Sequence, residues 1–120
     1  MKTIEKYEEA IKNRCPNLRE AGINPIVFHA YRYSREANNL FVNFNAYIPK
    51  AEIPDIVREL KENHISAFTI SSSVSNLIDI LAKFEKCGCS IVGLTTVQTP
   101  YKDLVTDEIE TKNAIEMSID

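Results

Sequence analysis

The stretch of sequence that decides the fold runs from Ile65 to Val97 and is ISAFTISSSVSNLIDILAKFEKCGCSIVGLTTV. Its first part, 67–70, is rich in β-branched and aromatic residues, which favour a strand. Three serines follow at 71–73, and serine hydroxyls accept hydrogen bonds from the first free amides of a helix. The sequence therefore predicts a strand, a stop at the serines, and a helix that begins there.

A single apolar stripe predicts that this helix is amphipathic. Its members recur at helical spacing and are Val74, Leu77, Ile78, Leu81 and Phe84. Gly88 lies where a left-handed C-terminal cap is expected, and the mostly apolar segment 91–97 predicts a second strand. A strand, a crossover helix and a strand predict parallel pairing with a right-handed connection.

The flanking sequence extends this pattern in both directions. Helical spacing predicts a helix over 3–14, another over 25–37, and a third that opens near Pro54 and closes near Asn63. Alternation of apolar and polar residues predicts a first strand over 40–47 and a last strand over 115–120. We expect the last strand to form an antiparallel hairpin with 91–97, across a charged and irregular loop over 100–112.

Together these elements predict an α/β fold in a single domain, 1–120, with residues 1–23 as a helical N-terminal extension packed on it. The predicted sheet is mixed and four-stranded. Three of its strands are expected to be parallel, joined by strand–helix–strand crossovers, and the C-terminal strand is expected to be antiparallel.

Composition narrows the class of protein. No apolar run approaches the roughly 20 residues that cross a bilayer, and the N-terminus lacks the apolar core of a signal peptide. The three cysteines, Cys15, Cys87 and Cys89, are odd in number, which favours free thiols in a reducing compartment. A net charge of −3 disfavours binding to nucleic acid, which relies on basic surface. We therefore expect a cytoplasmic protein without a membrane anchor.

Several short segments resemble a known family. They are FTISSS at 68–73, LIDILAKFEK at 77–86, Gly88, VGLT at 92–95, TPY at 99–101, AYRYSRE at 30–36 and AIEM at 114–117. With these segments the chain resembles, from about Ala30 onward, a family of short uncharacterised bacterial proteins carried by gut bacteria and their mobile elements. That family is a domain of unknown function, so the resemblance implies no substrate, cofactor or catalytic residue.

One candidate site lies where the serine run meets the predicted helix. Free amides and the positive dipole end of a helix can hold a phosphate or carboxylate beyond the carboxyl ends of parallel strands. The candidate ligand-binding residues are Ser72, Ser73, Ser75, Asn76, Thr99 and Tyr101, with Asn45 and Tyr47 nearby from the first strand. Alternatively, one serine caps the helix and the others are exposed turn residues. No glycine-rich phosphate loop accompanies the cluster.

A second candidate site lies on the helix predicted over 25–37. If Ile26, Ala30 and Tyr33 face the core, a neighbouring stripe combines aromatic and guanidinium groups, which are enriched at protein interfaces. The candidate partner-binding residues are Phe28, Tyr31, Arg32 and Arg35. The alternative is that the first helix covers the two aromatic rings and that the arginines pair with nearby acids.

Catalysis is disfavoured but stays open. His29 and His64 are the only histidines, and no serine or cysteine belongs to a recognisable catalytic motif. The pair Cys87 and Cys89 lacks the spacing of a zinc knuckle, so we expect neither a metal nor a cofactor. The sequence favours a non-catalytic binding or regulatory module that contacts a protein partner or a second copy of itself. The alternative is a domain that binds a small anion or phosphate, including a cryptic enzyme.

Overall fold

A computed structural model describes all 120 residues as four α-helices and four strands. The helices are α1 (Glu5–Lys12), α2 (Pro25–Glu36), α3 (Ile53–Glu62) and α4 (Leu77–Lys86), and a short 3-10 turn, Lys50–Glu52, precedes α3. The strands are β1 (Val42–Phe44), β2 (Ala67–Ser71), β3 (Cys89–Lys102) and β4 (Ile109–Ile119). The α/β class and the mixed four-stranded sheet predicted from the sequence are confirmed.

The pairing of the strands differs in part from the prediction. The sheet has the order β1-β2-β4-β3, in which β1 and β2 are parallel and β4 is antiparallel to both β2 and β3. The predicted parallel pairing of β2 with β3 is therefore wrong, because β4 lies between them, whereas the predicted antiparallel hairpin of β3 with β4 is confirmed. This position places the fully buried Met117 of β4 between apolar neighbours on both sides. The crossover helix α4 thus connects two strands that run in the same direction but do not pair.

Aromatic residues from three elements form the centre of the core. Phe68 of β2 lies 5.7 Å from Phe44 of β1 and 5.1 Å from Phe84 of α4, measured between ring centroids. All three rings are buried, and such edge-to-face and tilted pairs add to the stabilisation from burial. The contact fixes α4 on one face of the sheet.

The predicted inward face of α4 is partly wrong. Leu81 and Phe84 are buried as expected, but Ile78 is 76% exposed and Ile80 is 1% exposed. The helix begins only at Leu77, and Val74 is buried from the turn that precedes it. Because Val74 does not belong to the helix, its spacing to Ile78 does not mark the inward face, and Ile80 faces the core instead of Ile78.

A buried carboxylate ties α1 to the rest of the domain. The Tyr7 hydroxyl donates to the Glu59 carboxylate on α3, and the Asn24 amide at the start of α2 donates to the same group at 3.0 Å. Burial, followed by the Glu59 hydrogen bond, raises the pKa of Tyr7. The Glu59 carboxylate thus joins three helices through hydrogen bonds.

A second buried polar cluster joins β1, β2 and α2. The Asn43 side chain donates to Ser71 Oγ at 2.9 Å and accepts from Thr69 Oγ1 at 2.7 Å. The backbone amide of Asn43 donates to Ser34 Oγ of α2 at 2.7 Å. Because β1 is an edge strand, this bond from α2 gives a partner to a backbone donor that no neighbouring strand would bind.

The two long strands continue beyond the end of β2. The predicted irregular loop over 100–112 is wrong, since β3 extends to Lys102 and β4 begins at Ile109, leaving only a six-residue turn over 103–108. We call residues 96–113 the hairpin arm. The Asn39 side chain holds the arm near the end of α2: its Nδ2 donates to the Gln98 carbonyl at 2.9 Å and its Oδ1 accepts from the Gln98 amide at 2.8 Å.

Candidate functional site

The serine cluster forms an exposed turn between β2 and α4. Ser72, Ser73, Ser75 and Asn76 are all exposed, and no serine side chain caps the helix. The N-cap residue is Asn76, in the left-handed conformation with φ of 56°, and its side chain makes no capping hydrogen bond. The first amides of α4 are therefore free of side-chain partners.

Two other residues predicted for the ligand site lie on the hairpin arm. The Ser72 amide donates to the Asn113 carbonyl, and Asn113 pairs with Thr96, so Thr99 lies three residues, or about 10 Å, farther along β3. Thr99 is buried, and its Oγ1 accepts from the Tyr101 amide at 3.3 Å. No main cleft is lined by residues from both groups. Anion binding by this set stays a prediction.

The stripe predicted on α2 is only partly exposed. Phe28 is 6% exposed and Tyr31 is 1% exposed, because α1 packs over both and the Tyr7 ring lies 5.1 Å from the Tyr31 ring. The Tyr31 hydroxyl donates to Glu8 Oε1 at 2.7 Å. The prediction that the two aromatic side chains lie on an open surface is therefore wrong.

The arginines of that stripe remain accessible. Arg35 forms an ion pair with Glu8 of α1, and Arg32 forms one with Glu36 at 3.4 Å between Nε and Oε1. Both arginine side chains are more than 40% exposed, so these are surface ion pairs that contribute little to stability. Partner binding by Phe28, Tyr31, Arg32 and Arg35 stays a prediction, and only the two arginines of this set are exposed.

A groove runs between α1 and α2. It has a volume of about 640 Å³, and Ile11, Leu18 and Phe28 contribute apolar surface to it. Arg14 and Arg32 are two of the basic groups along it. Thus Phe28 and Arg32 of the predicted stripe both line a concave surface of mixed apolar and basic character, which we call the α1–α2 groove.

The tip of the hairpin arm presents two apolar side chains to solvent. Leu104 is fully exposed and Val105 is 93% exposed. Their turn is ordered by hydrogen bonds, since Asp103 Oδ1 accepts from the Val105 amide at 2.8 Å and from the Thr106 amide at 3.1 Å. These backbone donors lower the pKa of the Asp103 carboxyl below its ordinary value. The Asp103 amide also donates to the Glu108 carbonyl at 2.8 Å, which closes the turn.

Most of the exposed apolar surface belongs to the same hairpin. Of eleven exposed large apolar side chains, seven lie on β3, β4 or the turn between them: Ile91, Val92, Leu94, Tyr101, Leu104, Val105 and Ile109. Within this set, Leu104 and Val105 are adjacent at the tip, and neighbouring exposed apolar groups on a small protein commonly mark an interaction surface. The tip is not among the predicted sites because the charges over 100–112 favour a solvated loop, although Leu104-Val105 is a visible apolar signal within it.

The three cysteines lie in different parts of the fold, with Cys15 lining the α1–α2 groove and Cys89 beginning β3. All three thiols are free, and burial raises the pKa of Cys89 to about 11. No group of three or more histidine, cysteine, aspartate or glutamate side chains is placed to hold a metal ion. A pKa in that range keeps the Cys89 thiol protonated and weakly nucleophilic at neutral pH.

The fold and these surfaces define a small α/β domain with an apolar-tipped hairpin arm. The chain belongs to the family described as Domain of unknown function (DUF7698), whose model matches residues 26–119, from α2 to the end of β4. The predicted membership of a domain of unknown function is thereby confirmed, whereas its origin in gut bacteria and mobile elements stays a prediction. Neither the curated proteins nor the solved structures gave a match. None of the helices has the length and apolar character needed to traverse a bilayer.

Proposed function

We propose that this protein is a non-catalytic, cytoplasmic protein-binding module that docks through the tip of its hairpin arm. The observation that carries the proposal is the exposure of Leu104 and Val105 on a hydrogen-bonded turn. This surface replaces the α2 stripe as the main docking element, because the aromatic rings of that stripe are buried. The three free thiols fit a reducing compartment.

Simple energetics support docking through the tip. Burying one Leu or Val side chain in an apolar pocket contributes about 1.5–3 kcal/mol. Side chains on a flexible loop lose much of this gain to ordering, whereas a turn already fixed by Asp103 loses less. Two adjacent apolar groups on an ordered turn therefore suit a peptide-sized pocket.

The charges around the tip define the chemistry of the partner. Residues 102–112 carry more acidic than basic groups. There are four carboxylates, on Asp103, Asp107, Glu108 and Glu110, and two amines, on Lys102 and Lys112. All of the carboxylates are exposed. Complementary potential speeds docking and selects partners, so the partner surface is an apolar pocket with a basic rim.

Charged substitutions at the tip test the proposal. We expect the double variant Leu104→Asp and Val105→Asp to lose proteins that the wild type captures from a cell lysate, because aspartate cannot enter an apolar pocket. Both side chains are exposed, so the melting temperature should stay nearly unchanged. The matched control is Leu40→Asp, an equally drastic change at an exposed leucine that does not belong to the arm. Equal capture by the tip variant and the control would contradict the proposal.

Inorganic phosphate separates this function from the anion-binding alternative. On the protein-binding proposal, phosphate leaves the melting temperature unchanged apart from a general salt effect. A shift that saturates with phosphate and disappears in Ser73→Ala with Asn76→Ala would instead favour a ligand site at the start of α4. Chloride at matched ionic strength is the control.

A further inference from the structure

We propose that the tip of one copy of this chain docks into the α1–α2 groove of a second copy. This inference rests on the proposed function and names its partner. The tip requires apolar contact surface with basic groups beside it, and the α1–α2 groove of the chain itself combines apolar side chains with Arg14 and Arg32 in a surface that is half apolar and half polar.

The groove has room for the tip. Its volume of about 640 Å³ exceeds that of each of the other main clefts, the next of which measures about 340 Å³. Protein pockets that enclose compact ligands typically have volumes of about 300–1,000 Å³. Ile11 and Leu18, which are only partly buried, supply the apolar contact surface for Leu104 and Val105, and the nearly buried Phe28 ring also lines the groove.

The charges of the two surfaces are complementary. Arg14 is exposed and forms no ion pair within the chain, and Arg32 has only the exposed pair with Glu36. Glu108 and Glu110 of the arm are exposed and likewise have no ion-pair partner within the chain. Docking would bring unpaired acids to unpaired or weakly paired guanidinium groups, which favour bidentate contact with carboxylates.

The contact must join two different copies. Leu104 and Val105 are almost completely exposed, so the tip does not occupy the groove of its own chain. Because tip and groove are different surfaces, each contact is heterologous, and the assembly either closes on itself or grows from copy to copy. Every chain then contributes one tip and one groove.

Two complementary variants test the contact with purified protein. The tip variant carries Leu104→Asp and Val105→Asp, and the groove variant carries Arg14→Glu and Arg32→Glu; all four positions are exposed, so both should keep the wild-type melting temperature. In analytical ultracentrifugation we expect concentration-dependent assembly of the wild type and a single monomer peak for each variant alone. An equimolar mixture should restore a complex of two chains, because the tip variant keeps its groove and the groove variant keeps its tip.

Other outcomes would overturn the inference. Assembly that persists in both variants would place the contact elsewhere, for example along the free edge of β3, and a mixture that stays monomeric would exclude the pairing of tip with groove. A wild type that remains monomeric at its highest soluble concentration would also overturn it. If tip-dependent capture from a lysate survives in that case, the proposed function stands with a different partner; if capture is also independent of the tip, both fail.

Discussion

The substitution Tyr7→Phe tests how α1 is held on the domain. Tyr7 is fully buried, and its hydroxyl donates to the Glu59 carboxylate. A hydrogen bond to a charged group contributes about 1.5–3 kcal/mol, and phenylalanine keeps the packing of the ring. Glu59 still accepts from the Asn24 amide, so its charge is not left without a donor. We therefore expect the free energy of unfolding to fall by about 2 kcal/mol.

The same phenol predicts a change in alkaline stability. The pKa of Tyr7 is raised above its ordinary value of 10.0, first by burial and then by Glu59. The folded state keeps the proton where the unfolded chain releases it, so the contribution is complete below about pH 10 and declines above it. One such proton corresponds to about 1.4 kcal/mol per pH unit. Above about pH 10, the free energy of unfolding should therefore fall less steeply with pH in Tyr7→Phe than in the wild type, by that amount per pH unit.

Urea unfolding measures both effects, at neutral pH and at a series of alkaline pH values. The matched control is Tyr47→Phe, since Tyr47 is 66% exposed. A Tyr7→Phe protein with the unfolding free energy and alkaline slope of the control would refute the role given to the Tyr7–Glu59 bond.

Three further predictions concern the core, the tip and the thiols. Leu81→Ala should lower the unfolding free energy by about 2–5 kcal/mol in denaturant melts, through lost burial and a cavity; a change below about 0.5 kcal/mol would contradict the inward position of Leu81. Because the pKa of Asp103 is lowered from 3.8, its bonds to the turn are complete above that pH and are lost as the pH falls below it. Asp103→Ala should therefore speed hydrogen exchange at the Val105 and Thr106 amides at neutral pH, and unchanged exchange would refute the ordered tip. Replacing all three cysteines with serine should preserve the fold, and elemental analysis of the wild type should find no stoichiometric metal; one bound zinc per chain would contradict this.

The sequence predicts where the helices and strands lie better than it predicts which strands pair in the sheet. Local periodicity identified strands at β2 and β4 and the helix between β2 and β3, because burial of one face depends on residues close in the chain. Which strands pair depends on contacts between residues far apart in the sequence. The alternation of apolar and polar residues over 115–120 is the same for a strand at the edge of the sheet and for a strand between two others. The insertion of β4 between β2 and β3 was therefore not visible locally.

The errors at the candidate sites have a similar physical origin. Phe28 and Tyr31 have a spacing compatible with either an interface or a helix contact, and only the docking of α1 buries them. At the tip, charge density suggested a solvated loop, whereas the pairing of Lys102 with Ile109 extends the hairpin and leaves Leu104 and Val105 outside it. In both cases a contact distant in sequence decided which side chains are accessible.

Photo-crosslinking from the tip tests the docking proposal most directly. A photoreactive phenylalanine analogue in place of Leu104 would contact whatever protein surface covers the tip, and the same analogue in place of Leu40 provides the background. We expect the probe at Leu104 to form crosslinks well above that background, and mass spectrometry should locate them in the α1–α2 groove of a second copy, near Leu18 or Phe28. Crosslinking at Leu104 no greater than at Leu40 would contradict docking through the tip.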